Sequence, residues 1–289
     1  MRAVRAYLEL LRPANVVTAL ADVLAGYAIA GHANPRALPW LLVSTAGLYG
    51  GGVVLNDVFD RALDARERPE RPIPSGRVSP AKAAAFGTVL LAIGLGAAWF
   101  ATSAAVAVAA AIVALVLSYD TWAKRVPFVG PVNMGACRGL NLLLGVAAAP
   151  LALAGSWPLA LLPIIYIFAV TTVSRGEVHG GSRRIGAVAL ACMVAVIAAL
   201  GVLVFRAGTG LAAGFALVTL LGWRVLPPFW RVIQDARPEA SRRAVKAGVL
   251  SLVLLDATFG SVYAGPFYAL VILAVAGGAW VCARAFAVT

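Results

Sequence analysis

Ten long apolar runs constrain the fold of this chain more than any other feature. They lie at about 15–31, 38–56, 82–100, 102–118, 130–153, 157–175, 185–205, 209–228, 244–262 and 265–283. Most approach the roughly 20 residues that a helix needs to cross a bilayer. They do not alternate polar with apolar residues as a half-buried strand would. Because backbone polar groups in lipid must be bonded internally, such runs form helices. The sequence therefore predicts an all-α, polytopic membrane bundle, in a single domain over residues 1–289.

Composition and charge agree with a membrane location. Hydrophobic residues make up 62% of the chain, charged residues only 12%, and the mean hydropathy is +0.90. The net charge of +12 first suggests nucleic acid, but the positions of the basic residues argue against it. Of the 24 Lys and Arg residues, 22 lie in the tails or in and beside the loops that follow even-numbered runs. Only Arg36 and Arg206 lie on the other side.

This asymmetry predicts topology, because cytoplasmic loops of membrane proteins are enriched in Lys and Arg. We expect an integral, multi-pass protein of a bacterial-type cytoplasmic membrane, with both termini on the cytoplasmic side. The N-terminal segment resembles a signal peptide, but Arg12, Pro13 and Asp22 interrupt its apolar run. We therefore expect it to be a retained first helix. No basic face is left over for nucleic acid.

The polar stretch NDVFDRALDARERPERPIPSGR at 56–77 interrupts the apolar pattern. On a helix, Asn56, Asp57, Asp60 and Asp64 share one face near the cytoplasmic end of the second run. Clustered carboxylates repel one another and require a cation. Oxygen ligands suit Mg²⁺, which usually binds one or two carboxylates together with substrate phosphates. The arginines that follow mark topology, and Arg71 is in addition a candidate phosphate clamp.

These residues also resemble a known family. NDVFDRALD is similar to the NDxxDxxxD signature of the UbiA superfamily of intramembrane prenyltransferases, and RPIPSGRVSP resembles the segment that follows it there. Arg12-Pro13 and Asn15, before the first helix, resemble a further landmark. Tyr119 and Lys124 in YDTWAK resemble the family's loop after the fourth helix. The resemblance implies a UbiA-like bundle of nine or ten transmembrane helices around a central cavity that opens to the membrane.

The resemblance also implies an activity and a set of roles. It implies Mg²⁺ as cofactor and an isoprenyl diphosphate as donor, with transfer to a small acceptor that is aromatic or lipid-like. Metal ligation falls to Asn56, Asp57, Asp60 and Asp64, and catalysis to Asp60, Asp64 and Tyr119. Arg12, Asn15, Arg71 and Lys124 are expected to bind substrate. Tyr119 and Trp122 offer aromatic faces to an allylic cation.

The second acidic motif of the family is incomplete in this chain. The stretch SRGEVHGGS at 174–182 has one carboxylate, Glu177, and Gly181 stands where a second acid is expected. SRGEVHGG itself resembles the EboC-like branch of the superfamily. We expect Glu177 to be a remnant metal ligand, and Arg175 and His179 to contact substrate. The alternative is a catalytically impaired, UbiA-like protein that binds a lipid or precursor, or that assists its transport.

Two acids lie inside apolar runs, where ionisable residues point to function by default. Asp22 follows Asn15 by about two turns and is predicted to face the cavity and bind substrate. Asp256 lies in the ninth run, where pairing with a basic residue is the simpler interpretation.

Overall fold

The computed structural model describes residues 2–208 and 210–285, without the side chains of residues 2, 3, 178, 179, 276 and 279–285. Its α-helices, in chain order, are α1 (Arg2–Leu11), α2 (Pro13–Ile29), α3 (Ala37–Phe59), α4 (Arg61–Glu67), α5 (Pro80–Ala101), α6 (Ser103–Thr121), α7 (Val129–Val146), α8 (Leu153–Ser156), α9 (Leu161–Ser174), α10 (Gly176–His179), α11 (Arg183–Ala207), α12 (Leu211–Gln234), α13 (Pro238–Ala264) and α14 (Pro266–Ala285). Short 3₁₀ segments at Ala123–Arg125, Pro150–Ala152 and Trp157–Ala160 complete the secondary structure of the described residues.

The all-helical prediction is confirmed, and each apolar run corresponds to a helix. Among the described residues, seven segments are long and apolar enough to cross a membrane: α3, α5, α6, the segment Pro150–Ser174, α11, α12 and α13. α2 and the first part of α14 are shorter apolar helices. α7 falls outside these groups and carries Asn133, Arg138 and Asn141 along its buried length. The protein is thus a multi-pass integral membrane protein, while the side that its loops face stays a prediction.

Two hydrophobic cores share α2 and α7. One core packs α2 and α7 against α9, α11, α12, α13 and α14. The other packs the same two helices against α3, α5 and α6. α2 and α7 are therefore the structural centre of the bundle. The assignment of the whole chain to one domain stays a prediction.

Close packing of α2 on α7 depends on two glycines. A Cβ placed on Gly26 would overlap the carbonyl oxygen of Leu142 and lie 2.9 Å from the Cα of Gly145. A Cβ on Gly145 would in turn overlap the carbonyl oxygen of Val23. Small residues of this kind let helix backbones approach closely in membranes, where packing rather than hydrophobicity drives association.

We predict that Gly26→Ala destabilises the protein by about 1–3 kcal/mol, the range for overpacking a close-packed core. Gly96→Ala is the matched control, since Gly96 is an exposed glycine of α5 with nothing within 4 Å of its added Cβ. Thermal unfolding in one detergent would compare the two. Equal midpoints for both variants would contradict the close approach of α2 and α7.

Candidate functional site

An internal cavity of about 260 Å³ lies between α2, α3, α6, α7, α9 and α13. Polar groups collect at one end of it, where α2 begins and where α3 and α6 end. These groups are Arg12, Asn15, Asn56, Tyr119 and Asp120. Further in, the walls are mostly apolar and include Leu48, Ile112, Val116, Ile167 and Leu252. The predicted cavity is therefore present, with a polar end and an apolar body.

The first acidic motif does not lie on one continuous helix. α3 ends at Phe59 and α4 begins at Arg61, because Asp60 has φ −88° and ψ 2° and breaks the helical geometry. Asp57 and Asp64 are both buried. A guanidinium nitrogen of Arg71 connects them, at 2.8 Å from Asp64 Oδ2 and 3.3 Å from Asp57 Oδ1.

Arg12 completes this half of the motif. Its Nη2 lies 2.6 Å from Asp57 Oδ1. Arg12 sits between α1 and α2 in the left-handed region, at φ 47°, which directs the chain from one helix into the next. Burial lowers the pKa of the Arg12 guanidinium, and the Asp57 carboxylate opposes that shift. Asp57 is thus held by two arginines from distant parts of the sequence.

The other half of the motif faces α6. Lys124 Nζ lies 2.6 Å from Asp60 Oδ1 and 3.8 Å from Asp120 Oδ1. Asn56 donates a hydrogen bond from Nδ2 to Asp120 Oδ1, at 2.8 Å. The single acidic face expected from the sequence is therefore divided, with Asp57 and Asp64 on one side and Asn56 and Asp60 on the other.

We call Arg12, Asp57, Asp60, Asp64, Arg71, Asp120 and Lys124 the acid–base cluster. Within the described residues, no three His, Cys, Asp or Glu side chains converge as a ready metal site. The reason is local, since guanidinium and ammonium groups bridge the carboxylates. The donor set is nevertheless oxygen-rich, as Mg²⁺ requires, and one buried oxygen, Asp120 Oδ2, has no hydrogen-bond partner in the described structure. The residues therefore fit Mg²⁺ by donor type, once a bridging cation moves aside.

Arg175 acts on the backbone of the loop after α6. Its Nη2 donates to the carbonyl oxygens of Lys124 at 3.0 Å and Val126 at 3.2 Å. Arg175 lines a smaller, separate pocket rather than the main cavity. Arg175 thus supports the segment that carries Lys124, and its contact with substrate stays a prediction.

Glu177 stands across from the loop of the first motif. The basic groups that act on its carboxyl are Arg68 and Arg242, and burial raises its pKa in spite of them. Glu177 is not among the residues that line the main cavity. The side chain of His179, also predicted to bind substrate, lies outside the described residues.

The structure gives a packing reason for Gly181. A Cβ there would lie 3.2 Å from Ser241 Oγ, and the Gly181 amide donates to the carbonyl oxygen of Ala236 at 2.6 Å. The start of α13 therefore packs closely on this segment. An acidic side chain at residue 181 would have to displace it.

A second polar group lies deeper in the bundle. Asp22 is fully buried, with Arg138 Nε 2.7 Å and Asn141 Nδ2 2.7 Å from its Oδ2. Asp256 is also buried and close enough to Asp22 for the two carboxyls to interact, and neither of its oxygens has a hydrogen-bond partner among the described residues. Arg138 and Asn141 line the cavity whereas Asp22 does not, so Asp22 holds cavity residues rather than facing the cavity itself.

The position of Arg138 differs from the sequence-based prediction. It was counted among the basic residues of the cytoplasmic side, yet it is 7% exposed, inside α7, and its guanidinium lies 5.7 Å from the centre of the Tyr49 ring. Trp122 also differs from expectation, because it is more than half exposed and does not line the cavity, whereas Tyr119 does.

Sequence reasoning missed Asp120. It follows Tyr119 directly and precedes Lys124 by four residues, so the spacing of an acid and a base one helical turn apart was the available signal. The structure brings it beside Asn56.

Fold and site together define a class: a multi-pass membrane protein with charged side chains of both signs at one end of an apolar cavity. The family is shown by sequence comparison, because the model of the UbiA prenyltransferase family matches residues 19–250. The chain therefore belongs to the UbiA prenyltransferase family, a family of prenyl-transferring enzymes.

Several curated relatives of this chain are named digeranylgeranylglyceryl phosphate synthase. The protein from Methanoculleus marisnigri is 31% identical over 94% of this chain and 98% of its own length. The protein from Halobacterium salinarum is 34% identical over 85% of this chain and 94% of its own. For the relative from Methanopyrus kandleri, 39% identical, the match spans about half of each chain, 50% of this one and 53% of the relative. These relatives give no support to the EboC-like branch predicted from SRGEVHGG.

Solved structures establish the UbiA-like fold. A structure of digeranylgeranylglyceryl phosphate synthase superposes with a TM-score of 0.68 at 19% identity, covering 92% of this chain and 99% of that one. A UbiA homologue from Aeropyrum pernix K1 gives 0.66 at 18% identity, over 90% and 97% of the two chains. One from Archaeoglobus fulgidus, bound to GPP and Mg²⁺, gives 0.56 at 14% identity, over 94% and 99%.

Proposed function

We propose that this protein transfers an isoprenyl group from a Mg²⁺-bound isoprenyl diphosphate to the hydroxyl group of a lipid-like acceptor, a prenylated glyceryl phosphate. The observation that carries the proposal is the position of the acid–base cluster, which adjoins the polar end of a cavity with mostly apolar walls and contributes Arg12 and Asp120 to its lining. An isoprenyl diphosphate has the same division, with a charged head and an apolar tail.

The ion pairs of the ligand-free cluster hold its basic groups in place for binding a diphosphate. Arg12, Arg71 and Lys124 already lie against carboxylates, and they can exchange these partners for phosphate oxygens. Arg offers a planar fork that suits phosphate, and Lys a compact charge. That exchange would free Asp60 and Asp64 to hold Mg²⁺ together with Asn56, with Asp57 beside them. When bound, Mg²⁺ would offset the charge that develops on the departing diphosphate.

The reaction breaks the bond between the allylic carbon and the diphosphate oxygen, and the electron pair leaves with the diphosphate. The acceptor oxygen then forms the new carbon–oxygen bond, and its proton leaves to the released diphosphate. Tyr119, which lines the cavity beside the cluster, presents its ring where positive charge develops. The apolar walls hold the prenyl tail and keep water from the cation.

The acceptor class rests on the relatives. Their name describes a glyceryl phosphate that carries two geranylgeranyl groups, so the second transfer needs a glyceryl hydroxyl as acceptor. Of the two acceptor classes suggested by the sequence, this favours the lipid-like over the aromatic one.

The test uses the purified protein in lipid nanodiscs with Mg²⁺, geranylgeranyl diphosphate and geranylgeranylglyceryl phosphate. We expect the doubly prenylated lipid and diphosphate to appear in equal amounts, as measured by mass spectrometry and a diphosphate assay. Chelation of Mg²⁺ should stop both, and 4-hydroxybenzoate should be a poor acceptor. Preferential prenylation of 4-hydroxybenzoate would contradict the acceptor class.

A second candidate, a lipid-binding or transport-accessory protein, is favoured by one observation. Glu177 is the only carboxylate of the second motif, and Gly181 stands where a second acid is expected. Tight, Mg²⁺-dependent binding of a non-hydrolysable geranylgeranyl diphosphate analogue, without turnover of the natural diphosphate by any acceptor, would support this candidate over the enzyme.

A further inference from the structure

Asp120 is the one carboxylate of the acid–base cluster that does not come from the 56–64 motif. It lies at the end of α6, across the polar end of the cavity from α3, and is 1% exposed. Asp120 is among the residues that line the cavity, beside Asn56 and Tyr119. It therefore faces the first motif from another helix and can supply a carboxylate that the 174–182 segment lacks.

The two oxygens of Asp120 have different surroundings. Oδ1 accepts a hydrogen bond from Asn56 Nδ2 at 2.8 Å and lies 3.8 Å from Lys124 Nζ. Oδ2 is buried and has no hydrogen-bond partner among the described residues. A buried carboxylate oxygen left in this way is costly unless something binds it. Because the residue lines the cavity, a ligand within the cavity is the natural partner.

Charge in the cluster also favours a cation. Asp57, Asp60, Asp64 and Asp120 face Arg12, Arg71 and Lys124, so four carboxylates surround three basic groups. The ammonium of Lys124 already lies between Asp60 and Asp120 and marks the point where a positive charge is held. A divalent ion at that point would meet the carboxylates of Asp60, between α3 and α4, and of Asp120, in α6, once Lys124 turns to a phosphate.

We propose that Asp120 is a Mg²⁺ ligand of the substrate complex and takes the place of the carboxylate that is absent at Gly181. This inference rests on the proposed function, because it assumes that Mg²⁺ and an isoprenyl diphosphate occupy the cluster. It assigns the second ligating wall of the site to α6 rather than to α10. It also predicts that Glu177 is dispensable for metal binding.

The test measures binding rather than turnover. Mn²⁺ serves as the probe, and its affinity is measured by electron paramagnetic resonance for the full chain in nanodiscs with the non-hydrolysable analogue present. We expect Asp120→Asn to weaken Mn²⁺ binding at least about 10-fold, since loss of a charged ligand should match or exceed the 10–100-fold effects of losing an outer-shell partner. Glu177→Gln should bind Mn²⁺ as the wild type does, and so should the control Glu239→Gln, which changes an exposed acid in the first turn of α13. Unchanged affinity in Asp120→Asn would overturn the proposal.

A second variant separates ligation from structural support. In Asp120→Cys a thiolate replaces the carboxylate, and thiolates prefer soft metals. Direct ligation therefore predicts weaker Mn²⁺ binding together with Cd²⁺ binding at least about 10-fold tighter than in the wild type, whose Cys137 sets the background. A merely structural role predicts no gain for Cd²⁺, and that result would overturn the proposal even if Asp120→Asn failed to fold.

The two proposals fail in different ways. If the wild type performs no transfer but its Mn²⁺ affinity depends on Asp120, the proposed function fails and the ligand assignment stands. If the wild type transfers prenyl groups and Asp120→Asn binds Mn²⁺ normally, the ligand assignment fails alone.

Discussion

Replacement of Asp60 by alanine should lower prenyl transfer by about 100-fold or more, in the range reported when one preorganised electrostatic group is removed from an active site. Two effects combine in this variant. The first motif loses a predicted Mg²⁺ ligand at the point where α3 ends and α4 begins. In addition, the buried ammonium of Lys124 loses the carboxylate 2.6 Å away and is left with Asp120 at 3.8 Å.

The loss of the Lys124 partner gives this variant a distinctive kinetic behaviour. With Asp60 removed, Lys124 is expected to pair with Asp120 and to remain there, so it is less able to reach a phosphate. We therefore expect both a lower maximal rate and a higher Mg²⁺ requirement, measured as product formed against Mg²⁺ concentration. Asp60→Asn, which keeps the shape but removes the charge, should show the same two changes to a smaller degree.

Glu70→Gln is the matched control. Glu70 is an acid of the same 56–77 stretch, but its side chain is exposed and belongs to the loop that marks topology. It should keep wild-type transfer and Mg²⁺ dependence. Wild-type activity in Asp60→Ala would show that the cluster is not the catalytic site, whatever the cavity binds.

The sequence predicted the fold well because the membrane allows few solutions. Long apolar runs must be helices in lipid, so each run could be assigned before any packing was known. The polarity of individual helices was less predictable. α7 is a central helix of both cores, yet its Asn133, Arg138 and Asn141 make it less apolar than the other spans. Its polar residues face neighbouring helices, which a hydropathy pattern cannot show.

The part of the candidate site that lies within one short stretch was predictable from the sequence. The contacts between distant segments of the chain were not. Asn56, Asp57, Asp60 and Asp64 lie within nine residues, so their proximity needed only helical spacing. Their division into two groups depends on the helix break at Asp60 and on partners far along the chain. Arg71 pairs with Asp57 from 14 residues away. Lys124 and Asp120 pair with Asp60 and Asn56 from 64 residues away. Asp120 was missed for the same reason, since a lone acid at the end of a run is a common loop residue.

Arg138 shows the opposite error. A basic residue near the start of an apolar run is usually part of a loop, and only a buried acid close in space identifies it as part of the interior. That acid is Asp22, 116 residues earlier in the chain, and its two bonded neighbours Arg138 and Asn141 both come from α7. No local pattern connects α2 with α7.

This buried group leads to the second large expected effect, on stability. Arg138→Met should destabilise the protein by about 3–5 kcal/mol, the range for removing one partner of a buried ion pair. The variant leaves the carboxyls of Asp22 and Asp256 against each other, with Asn141 still donating to Asp22. It also removes the hydrogen bond from Arg138 Nη2 to the carbonyl oxygen of Thr18, at 2.9 Å. Thermal unfolding in a single detergent would measure the loss against Arg206→Met, an exposed arginine at the end of α11.

A double variant distinguishes an unpaired charge from lost packing. Most of the penalty in Arg138→Met comes from a carboxylate that has no cation, so Asp22→Asn in the same chain should restore part of the stability. The amide still accepts from Asn141 or donates to it, and Asp256 then has only a neutral neighbour. We expect Asp22→Asn/Arg138→Met to unfold at a higher temperature than Arg138→Met alone. If the stability losses of the two substitutions instead add, packing of the arginine stem in α7 accounts for the effect. In that case Asp22 does not hold Arg138 through its charge.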